Sequence, residues 1–276
     1  MTEQLQHRAE TLKLARLLGV AVDALPDLDA VPSGDLAELR QRMTDRLFDE
    51  SARILGHAGL AARLVPSALI AAISQMAFSP LLAARTAASI DPAKAVDVAR
   101  RLDPGFLADV SVELDPRRVA AIIAGVPESL AVPVSLELAR RREHVTMGRF
   151  LAYVPDAPLA ASMAVLDDET LLRTAFVLEH KERLGHTLGL LPADRLPGLL
   201  RCAHELELWP EALDLLGHLS PADLRPVVDD LVALGPEVLD GLADVVRAGG
   251  LEACLQPLLR AAAPEAAAHL ERHLGS

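Results

Sequence analysis

An all-α fold is predicted for this chain of 276 residues, on three observations. Aromatic residues make up only 3% of a composition that is 51% apolar. A core must therefore be built from Leu, Ala, Val and Ile, a set weighted towards helix formers rather than towards the aromatic and β-branched residues of sheets. The second observation is a recurring triplet: Ile90-Asp91-Pro92, Leu102-Asp103-Pro104, Leu114-Asp115-Pro116 and Leu219-Ser220-Pro221. Asp or Ser caps a helix N-terminus, and proline is tolerated at the first helical position, where its missing N–H is not needed. The third is an apolar stripe behind each proline. Val119, Ile122, Ile123 and Val126 follow Pro116, and Leu224, Val227, Val228 and Leu231 follow Pro221. Leu239, Leu242, Ala243 and Val246 follow Pro236, with weaker copies after Pro92 and Pro104. This spacing places four apolar side chains on one helix face.

Taken in order, the first helix is expected from Thr2 to Leu17, broken by Gly19. Ser33 is expected to cap a second helix that runs to Leu55 and is ended by Gly56 and Gly59. Leu64 to Ala84 carries no charge, but Pro66, Ser79 and Pro80 interrupt it. It reads as two short buried helices split near Ser79-Pro80 rather than as a membrane span. The triplets then open one short helix after another. Leu130 to Tyr153 is less regular and suggests a paired helical hairpin. Val154-Pro155-Asp156, Leu166-Asp167-Asp168 and Leu191-Pro192-Ala193 open further helices, with Leu171, Ala175 and Leu178 expected on an inner face behind the Asp167 cap. A short helix is unstable alone, so units of this kind must stack in series and share a core, which is the logic of an α-solenoid. The expected organisation is a helical cap or lead-in over residues 1–88 and a superhelix of short Pro-initiated helices over 89–276. Asp115→Ala should then cost about 0.5–2 kcal/mol as a lost cap, and the neighbouring change Arg117→Ala less.

The run from Ile90-Asp91-Pro92 to Val126-Pro127 resembles the cytosolic N-terminal domain of MgtE-type magnesium transporters, and the flagellar motor switch protein FliG has similarly stacked short helices. The resemblance spans about residues 89–250. It implies a right-handed superhelix and a magnesium-sensing role in which acidic side chains face a neighbouring nucleotide-fold pair. No CBS pair and no transmembrane segment accompanies it here, and no magnesium-contacting residue of that family can be placed on a residue of this sequence.

Net charge is −12. Residues 1–160 carry 18 Lys and Arg against 20 Asp and Glu, whereas residues 161–276 carry 9 against 19. Such a chain lacks the basic footprint of a nucleic-acid binder and would be repelled by anionic lipid. Cys202 and Cys254 form no disulfide framework and lack zinc-site spacing, so they read as small buried residues of a reducing compartment. The first residues show no signal-peptide pattern. No phosphate-binding glycine loop and no nucleophile elbow occurs.

The remaining polar clusters each have a structural and a functional reading. Glu265, His269 and His273 share one face of the last helix at a spacing that can hold a metal, although a solvated face explains them as well. Glu179, His180, Glu182 and His186 lack the order of a catalytic zinc motif. Arg140, Arg141 and Arg142 end a helix, where they suit the helix dipole or dock an acidic partner. Trp209-Pro210 is either a packed junction or a partner hot spot. Asp223, Asp229, Asp230, Glu237, Asp240 and Asp244 must point away from the stripes behind Pro221 and Pro236.

No catalytic, cofactor or metal residue is assigned. The expected function is a non-catalytic cytoplasmic scaffold or adaptor that binds another protein, without nucleic acid or membrane insertion. The alternative is a magnesium-responsive module with weak magnesium binding. Carboxylates gathered on one surface would favour the cation; an exposed apolar surface would favour the adaptor.

Overall fold

The computed structural model describes residues 2–25, 28–55, 64–192 and 194–274. Among these residues there are 18 α-helices and no strand, so the chain is all-α. The helices form two compact units.

One unit comprises residues 13–21 and 34–166. It holds the second half of α1 (Thr2–Leu18) and the helices α2 (Ser33–Leu55), α3 (Ser67–Ala77), α4 (Pro80–Ala87), α5 (Pro92–Ala99), α6 (Pro104–Glu113), α7 (Ala120–Ile123), α8 (Glu128–Arg140), α9 (His144–Phe150) and α10 (Asp156–Val165). Its helices pack mainly on the next but one: α3 on α5, α4 on α6, α5 on α7, α6 on α8 and α8 on α10. Ala83, Ala84 and Val110 are buried together where α4 meets α6, with Phe78, Phe106 and Leu114 packed around them. Arg16 is held by both carboxylate oxygens of Glu143, at 2.8 and 2.9 Å.

The other unit comprises residues 1–12, 22–33 and 167–276. It holds the first half of α1 and the helices α11 (Asp168–Phe176), α12 (Leu184–Leu188), α13 (Leu196–Glu205), α14 (Trp209–Leu216), α15 (Pro221–Ala233), α16 (Pro236–Gly249), α17 (Glu252–Ala261) and α18 (Pro264–Leu274). The same skipping contacts recur: α11 on α13, α13 on α15, α15 on α17 and α16 on α18. The stripes of α15 and α16 lie at the centre. Leu224, Val227, Val228, Leu231, Leu239, Leu242, Ala243 and Val246 are all buried.

The cap chemistry is as local as the sequence implies. Asp91 accepts from the N–H of Lys94, Asp103 from those of Gly105 and Phe106, Asp167 from that of Thr170, and Ser220 from that of Asp223. Ser79 does the same for α4 through Leu82 N–H. The hairpin expected between Leu130 and Tyr153 is α8 followed by α9.

Three local expectations are corrected. Asp115-Pro116 opens no helix. Residues 116–119 form a turn, and α7 is a single turn starting at Ala120. Asp115 is buried and accepts from the backbone N–H of Arg117 at 3.1 Å while its other oxygen holds the Arg117 guanidinium at 2.8 Å. Arg117 also reaches Asp45 at 2.9 Å. Asp115 thus still accepts a backbone N–H, but a turn follows it in place of a helix, and its guanidinium partner is shared with a residue far along the chain. Next, Leu191-Pro192 does not start a helix directly; α13 begins at Leu196 with Pro197 in its first turn, and Ala193 lies outside the described residues. Finally, the inner face expected behind the Asp167 cap holds only at Leu178, which is buried just beyond α11. Within α11 Thr170, Leu172, Thr174 and Phe176 are buried on two sides of the helix, while Leu171 and Ala175 are half-buried. Gly56 and Gly59 lie outside the described residues.

These corrections change an expected result. Asp103→Ala and Ser220→Ala should each cost about 0.5–2 kcal/mol by urea denaturation, as lost caps. Asp115→Ala and Arg117→Ala should instead cost similar amounts, about 1–3 kcal/mol each, because either change strips a partner from the same partly buried pair. A neutral Arg117→Ala would show that Asp115 is satisfied without it.

Candidate interaction surface

The segment Leu64–Leu81 departs most from expectation. Read from sequence it is two buried helices. In the structure α4 is buried through Ala83 and Ala84, but α3 buries only Ala71 and Ser74. α3 packs on α5, and Leu69, Ala72, Ile73 and Met76 face solvent. Leu69 is 51% exposed, Ile73 42% and Met76 87%, at positions i, i+4 and i+7 of one helix, with Leu64 (90%) before it and Leu81 (46%) after it. Of the twelve large apolar side chains found exposed among the described residues, five fall in these 18 positions. They expose on the order of 500 Å² of apolar surface, within the range of the largest patch on an ordinary monomer. Proline at 66 sets where α3 can start, and the Ser79 cap starts α4 two residues after α3 ends.

The acidic residues behave as the stripes dictate. Asp229, Glu237, Asp240 and Asp244 are exposed, and Asp223 and Asp230 half-buried. Asp223 accepts from Ser220 Oγ at 2.7 Å, and Asp244 pairs with Arg247 at 3.2 Å. No group of three or more His, Cys, Asp or Glu residues among the described ones is placed to hold a metal ion. Charge separates by unit more sharply than by sequence half. The unit containing α3 carries 17 Lys and Arg against 15 Asp and Glu, a net +2. The other carries 10 against 24, a net −14.

The remaining sequence candidates are accounted for as follows. His180 Nδ1 lies 2.9 Å from Glu182, and no further metal-ligating group joins them. Glu265 is exposed on α18; the side chains of His269 and His273 lie outside the described residues. In the arginine run, two of the three guanidiniums are paired within the chain. Arg140 and Arg141 both hold Glu137, and Arg141 also reaches Asp109 at 2.5 Å and the carbonyl of Gly105 at 3.1 Å. The two guanidiniums hold the Glu137 carboxyl well below the usual range, at about 2. Trp209 is 1% exposed, so it is a packed anchor and not a partner hot spot.

Two polar clusters were not legible from sequence. A groove of about 400 Å³ between α11 and α13 is lined by Asp167, Asp168, Glu169, Arg201, Cys202 and Glu205. Asp168 is bound by Arg195 at 2.6 Å. Burial, followed by Asp168 and its neighbouring carboxylates, pushes the Cys202 thiol up to about 11. It is protonated at neutral pH and cannot serve as a thiolate nucleophile. Cys254 is shifted the same way, by burial and Asp214.

The second cluster surrounds the buried ring of Phe176. Arg8 lies over it at 5.9 Å and Lys181 at 5.5 Å. Each cation has a carboxylate from α14: Arg8 pairs with Glu211 at 3.0 Å, and Lys181 with Asp214. His218 follows one turn after Asp214, its Nε2 buried without a hydrogen-bond partner. Burial, and then the Lys181 charge, push its imidazole below the ordinary 6.5, against an opposing pull from Asp214. The unfolded chain therefore binds this proton more readily than the folded one, and stability must fall as pH drops below about 6.5. The urea midpoint is expected to be lower at pH 5.5 than at pH 7.5, and His218→Gln should flatten that slope. This window lies above the range in which Glu137 loses its own contribution, from 4.5 down to about 2. An unchanged slope in His218→Gln would assign it to another group.

No family model matches this chain, and neither does any curated protein or solved structure. No helix among the described residues is long and apolar enough to cross a membrane.

Proposed function

We propose that the chain is a non-catalytic cytoplasmic scaffold or adaptor that binds a protein through the apolar face of α3. One observation carries this reading. A helix with Leu69, Ile73 and Met76 on its solvent side, flanked by Leu64 and Leu81, is an unstable surface to leave in water. The protonated Cys202 thiol, with Asp168 paired to Arg195 and Glu169 to Arg173 beside it, supports a non-catalytic role. The test is a double variant, Ile73→Glu with Met76→Glu, used as bait in native lysate beside the unaltered chain and an Asp229→Asn, Asp240→Asn control. Both residues are solvent-facing, so the fold should survive by circular dichroism. Partners retained by the unaltered chain and the control but lost by the double variant support the reading. An unchanged set of partners overturns it.

The exposed carboxylates of α15 and α16 motivate a second reading, the magnesium-responsive module that the resemblance to the MgtE N-terminal domain implies. Magnesium keeps most of its waters and binds weakly without a cage. Even at ten times Kd the stabilisation is only about 1.4 kcal/mol. Melting curves in magnesium chloride and in sodium chloride of matched ionic strength separate binding from screening. Equal shifts in the two salts are expected; a larger shift in magnesium would favour the second reading.

A further inference from the structure

Resting on the reading of α3 as a docking face, we propose that its occupant is a second copy of this chain, with the α3 helices of the two copies packed antiparallel across a twofold axis. Charge is the first argument. Sixty-six of the 276 residues are Lys, Arg, Asp or Glu, yet none falls between Leu64 and Ala84. The face thus has nothing with which to attract a charged partner and nothing with which to repel an identical one. Two copies at −12 each repel one another over most orientations. Contact through the unit of net +2 escapes that repulsion, whereas contact through the unit of net −14 does not.

Area is the second argument. A standard interface buries about 800 Å² on each partner. Leu64, Leu69, Ile73, Met76 and Leu81, with the exposed Ala68, Ala72 and Ala77 beside them, supply most of that from one helix and its flanks. Shape is the third. Leu69, Ala72 and Met76 follow one another at intervals of three and four, the seam spacing of paired helices. The small Ala68 and Ala72 leave room for the partner's Ile73 and Met76. A twofold interface must be self-complementary, and large and small apolar residues alternating along one charge-free stripe meet that condition.

Sedimentation equilibrium on the full chain between about 1 and 100 µM at physiological salt tests this, with Met76→Glu and Leu69→Glu measured alongside. The unaltered chain should approach twice its sequence mass across that range. Each variant should raise the dissociation constant at least about tenfold while keeping its helical circular dichroism. A monomer at every concentration overturns the proposal, and so does a dimer that both variants leave intact. A monomer that floats with neutral phosphatidylcholine vesicles also overturns it, in favour of a lipid surface. If the chain is monomeric but loses lysate partners in the Ile73→Glu, Met76→Glu variant, only the second copy is rejected. If those partners also persist, the docking face itself is rejected.

Discussion

Lys181→Met is expected to lower the unfolding free energy by about 3–5 kcal/mol, the cost of leaving a buried carboxylate unpaired. The side chain of Asp214 is fully buried and that of Lys181 only 13% exposed. One Asp214 oxygen meets the Lys181 ammonium, and the other has no hydrogen-bond partner. Removing the cation therefore leaves nothing to offset the desolvated charge, and it also removes one of the two cations over Phe176. The double variant Lys181→Met, Asp214→Leu should recover most of the loss, because two apolar groups of similar size need no partner. Arg8→Ala should cost less, about 1 kcal/mol, since Arg8 is 54% exposed and water screens its pair with Glu211. The check is urea denaturation of the three variants at pH 7.5. A Lys181→Met loss below about 1 kcal/mol would mean that water reaches Asp214 and that the cluster around Phe176 is held together by packing alone.

Trp209→Ala should cost about 3–5 kcal/mol, the effect of emptying the largest fully buried side chain in the molecule. Trp209 is the first residue of α14 and stands beside Pro210, where the chain enters the helix that carries Glu211 and Asp214. Its indole N–H is buried without a partner. Trp209→Phe consequently gives up volume but no hydrogen bond, and it should cost much less than the alanine change. Circular dichroism must follow the unfolding, because Trp209 is the sole tryptophan. In the unaltered chain its fluorescence should be blue-shifted and move to the red on unfolding. Red-shifted emission from the folded protein would contradict burial at this position.

The helical class and most helix starts were legible because their causes are local. Asp91, Asp103, Asp167 and Ser220 each act on a backbone N–H two or three residues ahead, so four or five residues of sequence contain the whole interaction. Asp115 carries the same triplet and accepts an N–H two residues ahead, yet a turn follows it; its partner Arg117 is also held by the distant Asp45, a contact that no local spacing contains. The Phe176 cluster was hidden for a related reason: it joins Arg8 to Lys181 and Asp214 across nearly the whole chain, and no spacing rule reaches that far. The stripes of α15 and α16 were readable because their periodicity sorts them against one core. The candidate surface was half readable. An uncharged run from Leu64 to Ala84 reads as buried, but the side chains of α3 are uncharged all round and carry no sign of which face the chain itself covers. Only packing shows that Ala71 and Ser74 turn inward while Leu69, Ile73 and Met76 do not.

A photo-crosslinking amino acid placed at position 76 of α3, and in a separate protein at position 240 of α16, tests the central claim most directly. Both sites are exposed, one on the uncharged face and one among the carboxylates. After irradiation of native lysate containing each protein, the account predicts covalent adducts of higher mass from position 76 and none from position 240. Adducts from position 240 with none from position 76 would contradict it and move the interaction surface to the acidic helices.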